Sequence, residues 1–248
     1  MSWASPRDRD LLRVHPERWG TYVRILGEVA VVDVARARPA EWSGAGRLSA
    51  SLLARDRLLP AGELLGDLLP FGGLQRGTTT VVGPSPAPGS TTLALELLAG
   101  VSAAGHWCAA VGLANLGLVA AAERGIALER LLVVPSPGGP GRWQQMLAAL
   151  FDGLEAVLFA PAGPVRPSDA RTLSARTRER ASALVVLDRH GYWSEPADLR
   201  CRVASSAWTG LEEGYGLLSG RSLEIEVSGR GAAARPRRAT VELAGTGT

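Results

Sequence analysis

The chain has 248 residues, of which 46% are hydrophobic and 21% are charged, a composition that supports one large folded domain, or one domain with a small appendage. Its net charge of +3 permits contact with nucleic acid without arguing for it, and every basic residue is an arginine because the sequence contains no lysine. Two isolated cysteines and three scattered histidines exclude a disulfide framework and provide no metal-binding spacing.

Residues 1–58 are arginine-rich and are predicted to form an N-terminal appendage to a core domain over residues 59–248. The first ten residues, MSWASPRDRD, lack the apolar segment of a secretory signal. No uninterrupted apolar run of 18 residues occurs, so we expect a cytoplasmic protein without a membrane span. Within the appendage, segment 21–34 predicts a strand and segment 46–58 predicts a short amphipathic helix.

In the core, short apolar strands alternate with helices. Strands are predicted over 78–82, 107–111, 131–134, 156–159 and 183–187, and helices over 91–102, 116–124, 142–150 and 168–182. This alternation predicts an α/β fold with a mostly parallel sheet flanked by helices. Segments 223–227 and 239–243 alternate with period two, which predicts a C-terminal antiparallel hairpin at one sheet edge, joined by the loop SGRGAAARPRR.

The segment between the first core strand and the first core helix has the setting of a phosphate-binding loop, but not its chemistry. Such a loop needs the spacing G-x-x-x-x-G-K-[ST]. Here Gly83 and Gly89 are separated by five residues, and Ser90 stands where the lysine belongs. Three prolines in the loop offer no N–H to a phosphate. Thr91 could hold a metal ion, but capping of the following helix explains a threonine there equally well.

The order LPFGGLQRG, strand, GPSPAPGSTTLALEL, strand resembles the core of RecA-type recombinases from about Leu59 to Leu211. In that family a lysine, a glutamate and an aspartate carry out ATP hydrolysis. By this resemblance the lysine corresponds to Ser90, the glutamate to a position near Ala114, and the aspartate to Ala160 or Pro161. The resemblance therefore implies a RecA-like sheet with a degenerate phosphate loop, no nucleotide cofactor and no ATPase activity.

Among RecA-like chains without ATPase activity, this sequence is most similar to the actinobacterial ImuA type. The similarity lies in the chain length, the N-terminal appendage, the arginine-rich tail and the segments GGLQRGTTTVVG and SGRG. That resemblance implies an accessory protein of SOS-induced translesion DNA synthesis. Its partners would be an inactive Y-family polymerase homologue and, through it, an error-prone replicative-type polymerase. Two alternatives stay open: a SulA-like inhibitor of the tubulin-like division protein, and an NTPase with an altered loop.

Two surfaces are candidates for contact with a partner or, weakly, with DNA. The first is the loop after strand 183–187, where Trp193 and Tyr192 stand beside Arg189, while Trp107 and Trp208 are expected in the core. Asp188 at the end of that strand is either a site carboxylate or a solvated loop residue. The second surface is the arginine cluster of the C-terminal hairpin loop. Its members are Arg230, Arg235, Arg237 and Arg238.

Overall fold

The computed structural model describes residues 21–25, 28–32, 57–139, 141–210 and 218–244. Two short antiparallel pairs precede the core. They are β1 (Thr21–Ile25) with β2 (Glu28–Val32), and β3 (Leu58–Pro60) with β4 (Gly73–Gln75). The strand predicted over 21–34 is thus an antiparallel pair. The helix predicted over 46–58 lies outside the described residues except at its end, where Leu58 already begins β3.

The core follows the predicted alternation of strands and helices closely. Its first part contains β5 (Thr79–Val82), α1 (Ser90–Ala103), β6 (Cys108–Val111), α2 (Leu118–Glu123), β7 (Leu131–Val134), α3 (Arg142–Phe151), β8 (Ala156–Phe159), α4 (Pro167–Arg180) and β9 (Ala183–Leu187). Three long strands follow, β10 (Leu199–Thr209), β11 (Gly220–Gly229) and β12 (Arg237–Ala244). All eight strands from β5 onward join one sheet in the order β12-β11-β10-β5-β9-β8-β6-β7.

Helices cover both faces of this sheet and create two hydrophobic layers. One layer packs α1 and α2 against the sheet and includes residues of β10, β11 and β12. The other packs α3 and α4 against the opposite face. The central parallel strands are fully buried because both of their faces are covered, which explains why their sequences are continuous apolar runs instead of alternating ones.

The C-terminal part of the sheet differs from the predicted two-stranded hairpin. A third strand, β10, was not predicted; it pairs in parallel with β5 and antiparallel with β11. Buried and less buried residues alternate in its first half, but a bulge between Val203 and Ser205 interrupts the pattern, and its second half is mostly exposed. Backbone pairing with two neighbours therefore forms this strand where the side-chain pattern alone is weak.

Because the parallel strands run in one direction, the loops after β5, β6, β8 and β9 lie at the carboxyl edge of the sheet. This is the edge at which open α/β sheets place their ligands. No helix among the described residues is long and apolar enough to cross a membrane.

Candidate functional site

The loop from Gly83 to Gly89 between β5 and α1 is closely packed at its first residue. Gly83 has φ = +98°, and its N–H donates to the Cys201 carbonyl at 2.8 Å. A Cβ atom on Gly83 would lie 2.4 Å from the Asp188 carbonyl oxygen. Only glycine satisfies both the backbone conformation and this close approach, so the start of the loop is fixed between β9 and β10.

Hydroxyl groups close the loop onto itself at the position where a phosphate-binding loop carries its lysine. The Ser90 hydroxyl donates to Ser85 Oγ at 2.9 Å, and the backbone N–H of Val203 in β10 donates to the same Ser85 oxygen at 3.0 Å. The Ser90 side chain is therefore directed into the loop as part of an internal hydrogen-bond chain.

The start of α1 corrects one expectation about the threonines. The helix begins at Ser90 with Gly89 as its N-cap residue, and no side chain caps it. Thr91 lies inside the first turn, and its Oγ1 accepts a hydrogen bond from Arg189. The capping role offered for Thr91 is thus wrong, because the helix starts before it.

Arginine side chains from three different strands or strand ends surround the loop. Arg189 donates to Thr91 Oγ1 at 2.9 Å, Arg200 to the Gly83 carbonyl at 3.0 Å and Arg221 to the Pro88 carbonyl at 2.6 Å. These guanidinium groups hydrogen-bond to oxygen atoms of the chain itself. They hold the loop in place between β9, β10 and β11.

The described residues that directly follow β6 and β8 beside the loop carry no carboxylate of the kind that holds a metal ion in phosphoryl transfer. Ala114 lies in the loop after β6, and Ala160 and Pro161 follow β8. In the described part of the chain, the carboxylate that directly follows a parallel strand at this edge is Asp188, after β9. Among the described residues, no group of three His, Cys, Asp or Glu side chains could hold a metal ion.

Asp188 organises a turn instead of facing solvent. Its side chain is 1% exposed, and its two carboxylate oxygens accept the backbone N–H groups of Tyr192 at 2.7 Å and Trp193 at 3.2 Å. Of the two interpretations of Asp188, the solvated loop carboxylate is wrong, because these two N–H groups replace water as the donors to the buried carboxyl group.

The same turn buries Trp193, which was expected to be an exposed partner anchor. Trp193 is 4% exposed, belongs to the hydrophobic layer beneath α3 and α4, and pairs by a single bridge with Val165. Its expected role as an exposed anchor is therefore wrong, since the Asp188 turn folds the chain back onto the core. Tyr192 is half-buried beside His190, and Arg189 is exposed but contacts Thr91.

Trp208, expected in the core, is instead 54% exposed at the end of β10. Its partner in the antiparallel register is Arg221 of β11, so both side chains project from the same face. Arg221 Cζ lies 4.6 Å from the centroid of the Trp208 ring, and its Nε donates to Ser206 Oγ at 2.8 Å. A cation–π pair thus presents an indole at the carboxyl edge, close to the loop that Arg221 also contacts.

A cavity of about 220 Å³ opens beside this pair. Leu218, which is 47% exposed, Leu95, Leu243 and Ala120 line it together with Trp208, Arg221 and other polar side chains. Val119, the neighbour of Ala120 in α2, is 74% exposed. Two of the four large hydrophobic side chains exposed among the described residues, Trp208 and Leu218, line this one cavity, and we call Trp208, Arg221 and Leu218 the Trp208 surface.

The arginine cluster lies at the opposite, amino edge of the parallel strands and is only partly a loop. Arg230 and Arg235 lie between β11 and β12, whereas Arg237 and Arg238 belong to β12, which corrects their predicted position. All four are exposed. Arg238 pairs with Glu224 at 3.3 Å and with Glu226 at 2.7 Å, and Arg202 joins Glu226 at 3.0 Å.

These ion pairs make the charge environment of Arg238 different from that of the other three arginines. The hydrogen bonds from Arg202 and Arg238 lower the pKa of Glu226, and the same carboxylate raises the pKa of Arg238. Arg230, Arg235 and Arg237 form no ion pair with a described residue. The sequence predicted one uniform cluster because it could not show which arginine faces the glutamates of β11.

Comparison with known proteins places the chain in a family. The profile of the family described as "MT3502 N-terminal domain" matches residues 67–195, which contain the Gly83–Gly89 loop and the Asp188 turn. A protein of Mycobacterium tuberculosis, described as "Uncharacterized protein Rv3395c", is 36% identical over 174 residues, covering 66% of this chain and 81% of the relative. With half of its length matched by the profile and most of the relative covered, the chain belongs to the MT3502 N-terminal domain family.

Proposed function

We propose that this chain is a non-catalytic, RecA-like adaptor that acts in the cytoplasm in mutagenic translesion DNA synthesis. By the resemblance of its sequence to the ImuA type, its partner is an inactive Y-family polymerase homologue, through which it engages an error-prone replicative-type polymerase. The observation that carries the adaptor role is the Trp208 surface, which concentrates exposed apolar side chains and an arginine around one cavity.

The composition of this surface is that of a protein-binding hot spot. Trp and Arg are enriched among the residues that dominate interface energies, and they work best in a pocket from which water is excluded. The cavity beside Trp208 offers such a pocket to an apolar side chain of the partner. Burial lowers the pKa of Arg221, but its guanidinium stays a cation at neutral pH and can also pair with a partner carboxylate.

The architecture of the former phosphate loop supports an adaptor without ATPase activity. A phosphate group needs free N–H donors and a cation at the helix N-terminus. Here Ser90 stands at the lysine position and hydrogen-bonds to Ser85, while prolines remove donors from the loop. The side chains that would hold Mg²⁺ after β6 and β8 are alanine and proline. Each loss removes charge stabilisation from phosphoryl transfer, so their effects compound.

The decisive experiment compares two exposed aromatic residues at opposite ends of the sheet. Affinity-tagged wild type, Trp208→Ala and Phe71→Gly are used to capture partners from cells with damaged DNA, and the captured polymerase homologue is then titrated with each purified variant. We expect Trp208→Ala to weaken binding by about 30-fold, corresponding to a hot spot of about 2 kcal/mol. Phe71→Gly, which removes a ring at the amino edge, serves as the matched control and should bind like wild type.

Two outcomes would contradict this function. Capture of the tubulin-like division protein in place of a polymerase homologue would favour the SulA-like inhibitor. Micromolar binding of Mg²⁺-ATP in calorimetry, or turnover above background, would favour an NTPase with an altered loop. Ser90→Lys tests the second alternative further: we expect no hydrolysis, because loop length and carboxylates are still wrong.

A further inference from the structure

The amino edge of the parallel strands carries a second exposed aromatic residue, Phe71, beside part of the arginine cluster. Phe71 lies between β3 and β4 and is 62% exposed. It lines a cavity of about 370 Å³ together with Arg230, which follows β11. The tertiary structure thus brings the LPFGGLQRG turn and the C-terminal arginines together, although about 160 residues separate them in the chain.

The backbone at Phe71 is strained without any gain from burial. Its φ of +66° and ψ of +10° place it in the left-handed region, which residues with a Cβ rarely adopt. A buried side chain could offset that cost by packing, but this ring faces solvent over most of its surface. Such strain is typically found where a side chain is presented for binding.

Three arginines that have no ion pair with a described residue lie at the same edge of the sheet as the ring. Arg230, Arg235 and Arg237 are exposed and have no ion pair with a described residue. Arg237 alternates with Ala239 and Val241, which pack onto the same hydrophobic layer as Leu74 beside the cavity. By the same alternation Arg238 projects to the opposite face, where Glu224 and Glu226 neutralise it.

One carboxylate, Asp198, also lines the cavity. Its Oδ2 accepts the backbone N–H of Thr79 at 2.9 Å, and its backbone carbonyl accepts the N–H of Arg230 at 2.9 Å. Asp198 therefore accepts hydrogen bonds from the backbone at the start of β5 and just after the end of β11. Arg230 at the cavity, and Arg235 and Arg237 five and seven residues further along the chain, outnumber this carboxylate. We call Phe71, Arg230, Arg235 and Arg237 the Phe71–arginine surface, and its net charge is positive.

We infer that this Phe71–arginine surface binds single-stranded nucleic acid. The guanidinium groups would contact backbone phosphates, and a base would stack on the exposed Phe71 ring. Charge complementarity selects a polyanion as the occupant. The aromatic ring favours a nucleic acid over an acidic peptide, since every base offers a flat π face and carboxylate side chains do not. This inference goes beyond the adaptor function and does not depend on the Trp208 surface.

The test uses fluorescence anisotropy to measure the affinity of the full chain for a labelled 20-nucleotide oligothymidylate, at salt concentrations between 50 and 200 mM. For three phosphate contacts on a single strand, log affinity should fall with log salt with a slope of about −2, or about 20-fold over this range. Replacing Arg230, Arg235 and Arg237 together by alanine should weaken binding at 50 mM and flatten the slope. Arg238→Ala is the matched control and should leave both quantities unchanged.

Phe71→Gly separates stacking from folding. Glycine adopts φ = +66° without strain, so the variant should melt at the same temperature as wild type or higher. We expect its affinity for the oligonucleotide to fall by about 5- to 160-fold, the range for loss of one stacked base, with an unchanged salt slope. Trp208→Ala, an exposed aromatic residue at the other edge, should bind the oligonucleotide like wild type.

Three results would overturn the inference. The first is no binding at 50 mM salt. The second is an equal loss of affinity in the Arg238→Ala control and the triple variant. The third combines two observations: Phe71→Gly binds the oligonucleotide as tightly as wild type, and an oligoglutamate peptide of matched charge displaces the labelled oligonucleotide as well as unlabelled oligonucleotide does. Together they would mean that any polyanion binds through the arginines alone.

Discussion

Replacement of Trp193 by alanine gives the sharpest test of the fold around the carboxyl edge. Trp193 is 4% exposed within the hydrophobic layer of α3 and α4. A buried aromatic side chain removes about 150–250 Å² from water, worth about 4–6 kcal/mol at 25 cal/mol per Å². Alanine retains a small part of that area, so we expect the free energy of unfolding to fall by about 3–5 kcal/mol, as in other Trp-to-Ala core changes.

The assay is urea denaturation followed by circular dichroism, because seven tryptophans make fluorescence ambiguous. For a domain of this size, a loss of 3–5 kcal/mol also lowers the melting temperature by roughly 6–20 °C. Trp193→Phe should lie within about 2 kcal/mol of wild type, since it keeps an apolar ring. It also removes a buried indole N–H that has no hydrogen-bond partner among the described residues.

Trp208→Ala is the control for the same residue type at an exposed position. With 54% of Trp208 accessible and one exposed cation–π contact, its loss should cost at most about 2 kcal/mol. Equal destabilisation by Trp193→Ala and Trp208→Ala, or a loss below about 1 kcal/mol at Trp193, would refute the burial of the Asp188 turn.

Three further predictions concern other parts of the molecule. Ser85→Ala should lower the free energy of unfolding by about 1–3 kcal/mol in urea denaturation, because it leaves the N–H of the buried Val203 unpaired. Cys108 and Cys201 are buried and burial raises both thiol pKa values to about 12, so iodoacetamide at pH 8 should label them only in denaturant. Arginine hydrogen bonds lower the pKa of Glu226 below its usual 4.5, so the stability they contribute is present above that pH and is lost as pH falls through the folded pKa. The difference in urea midpoint between wild type and Glu226→Gln should therefore shrink from pH 5 to pH 3; a constant difference would contradict it.

The order of strands and helices could be predicted from sequence because the central strands are short apolar runs and the helices between them have clear ends. Buried parallel strands such as Ala156–Phe159 and Ala183–Leu187 carry this signal in consecutive residues. The absence of a lysine at Ser90 is likewise a property of the sequence, as is the loss of loop donors to proline. Strand β10 was missed because its second half is stabilised by backbone pairing and not by an apolar pattern.

Only the tertiary structure decided which tryptophan is exposed and which arginines form ion pairs with described glutamates. Trp193 follows a strand in a Gly- and Pro-containing segment typical of an exposed loop, yet two hydrogen bonds to Asp188 turn it into the core. Trp208 lies in a strand, yet a cavity separates it from α1 and α2, and the ring stays 54% exposed. Exposure depends on what packs against a residue from distant parts of the chain, and such long-range contacts leave no periodic signal in the local sequence.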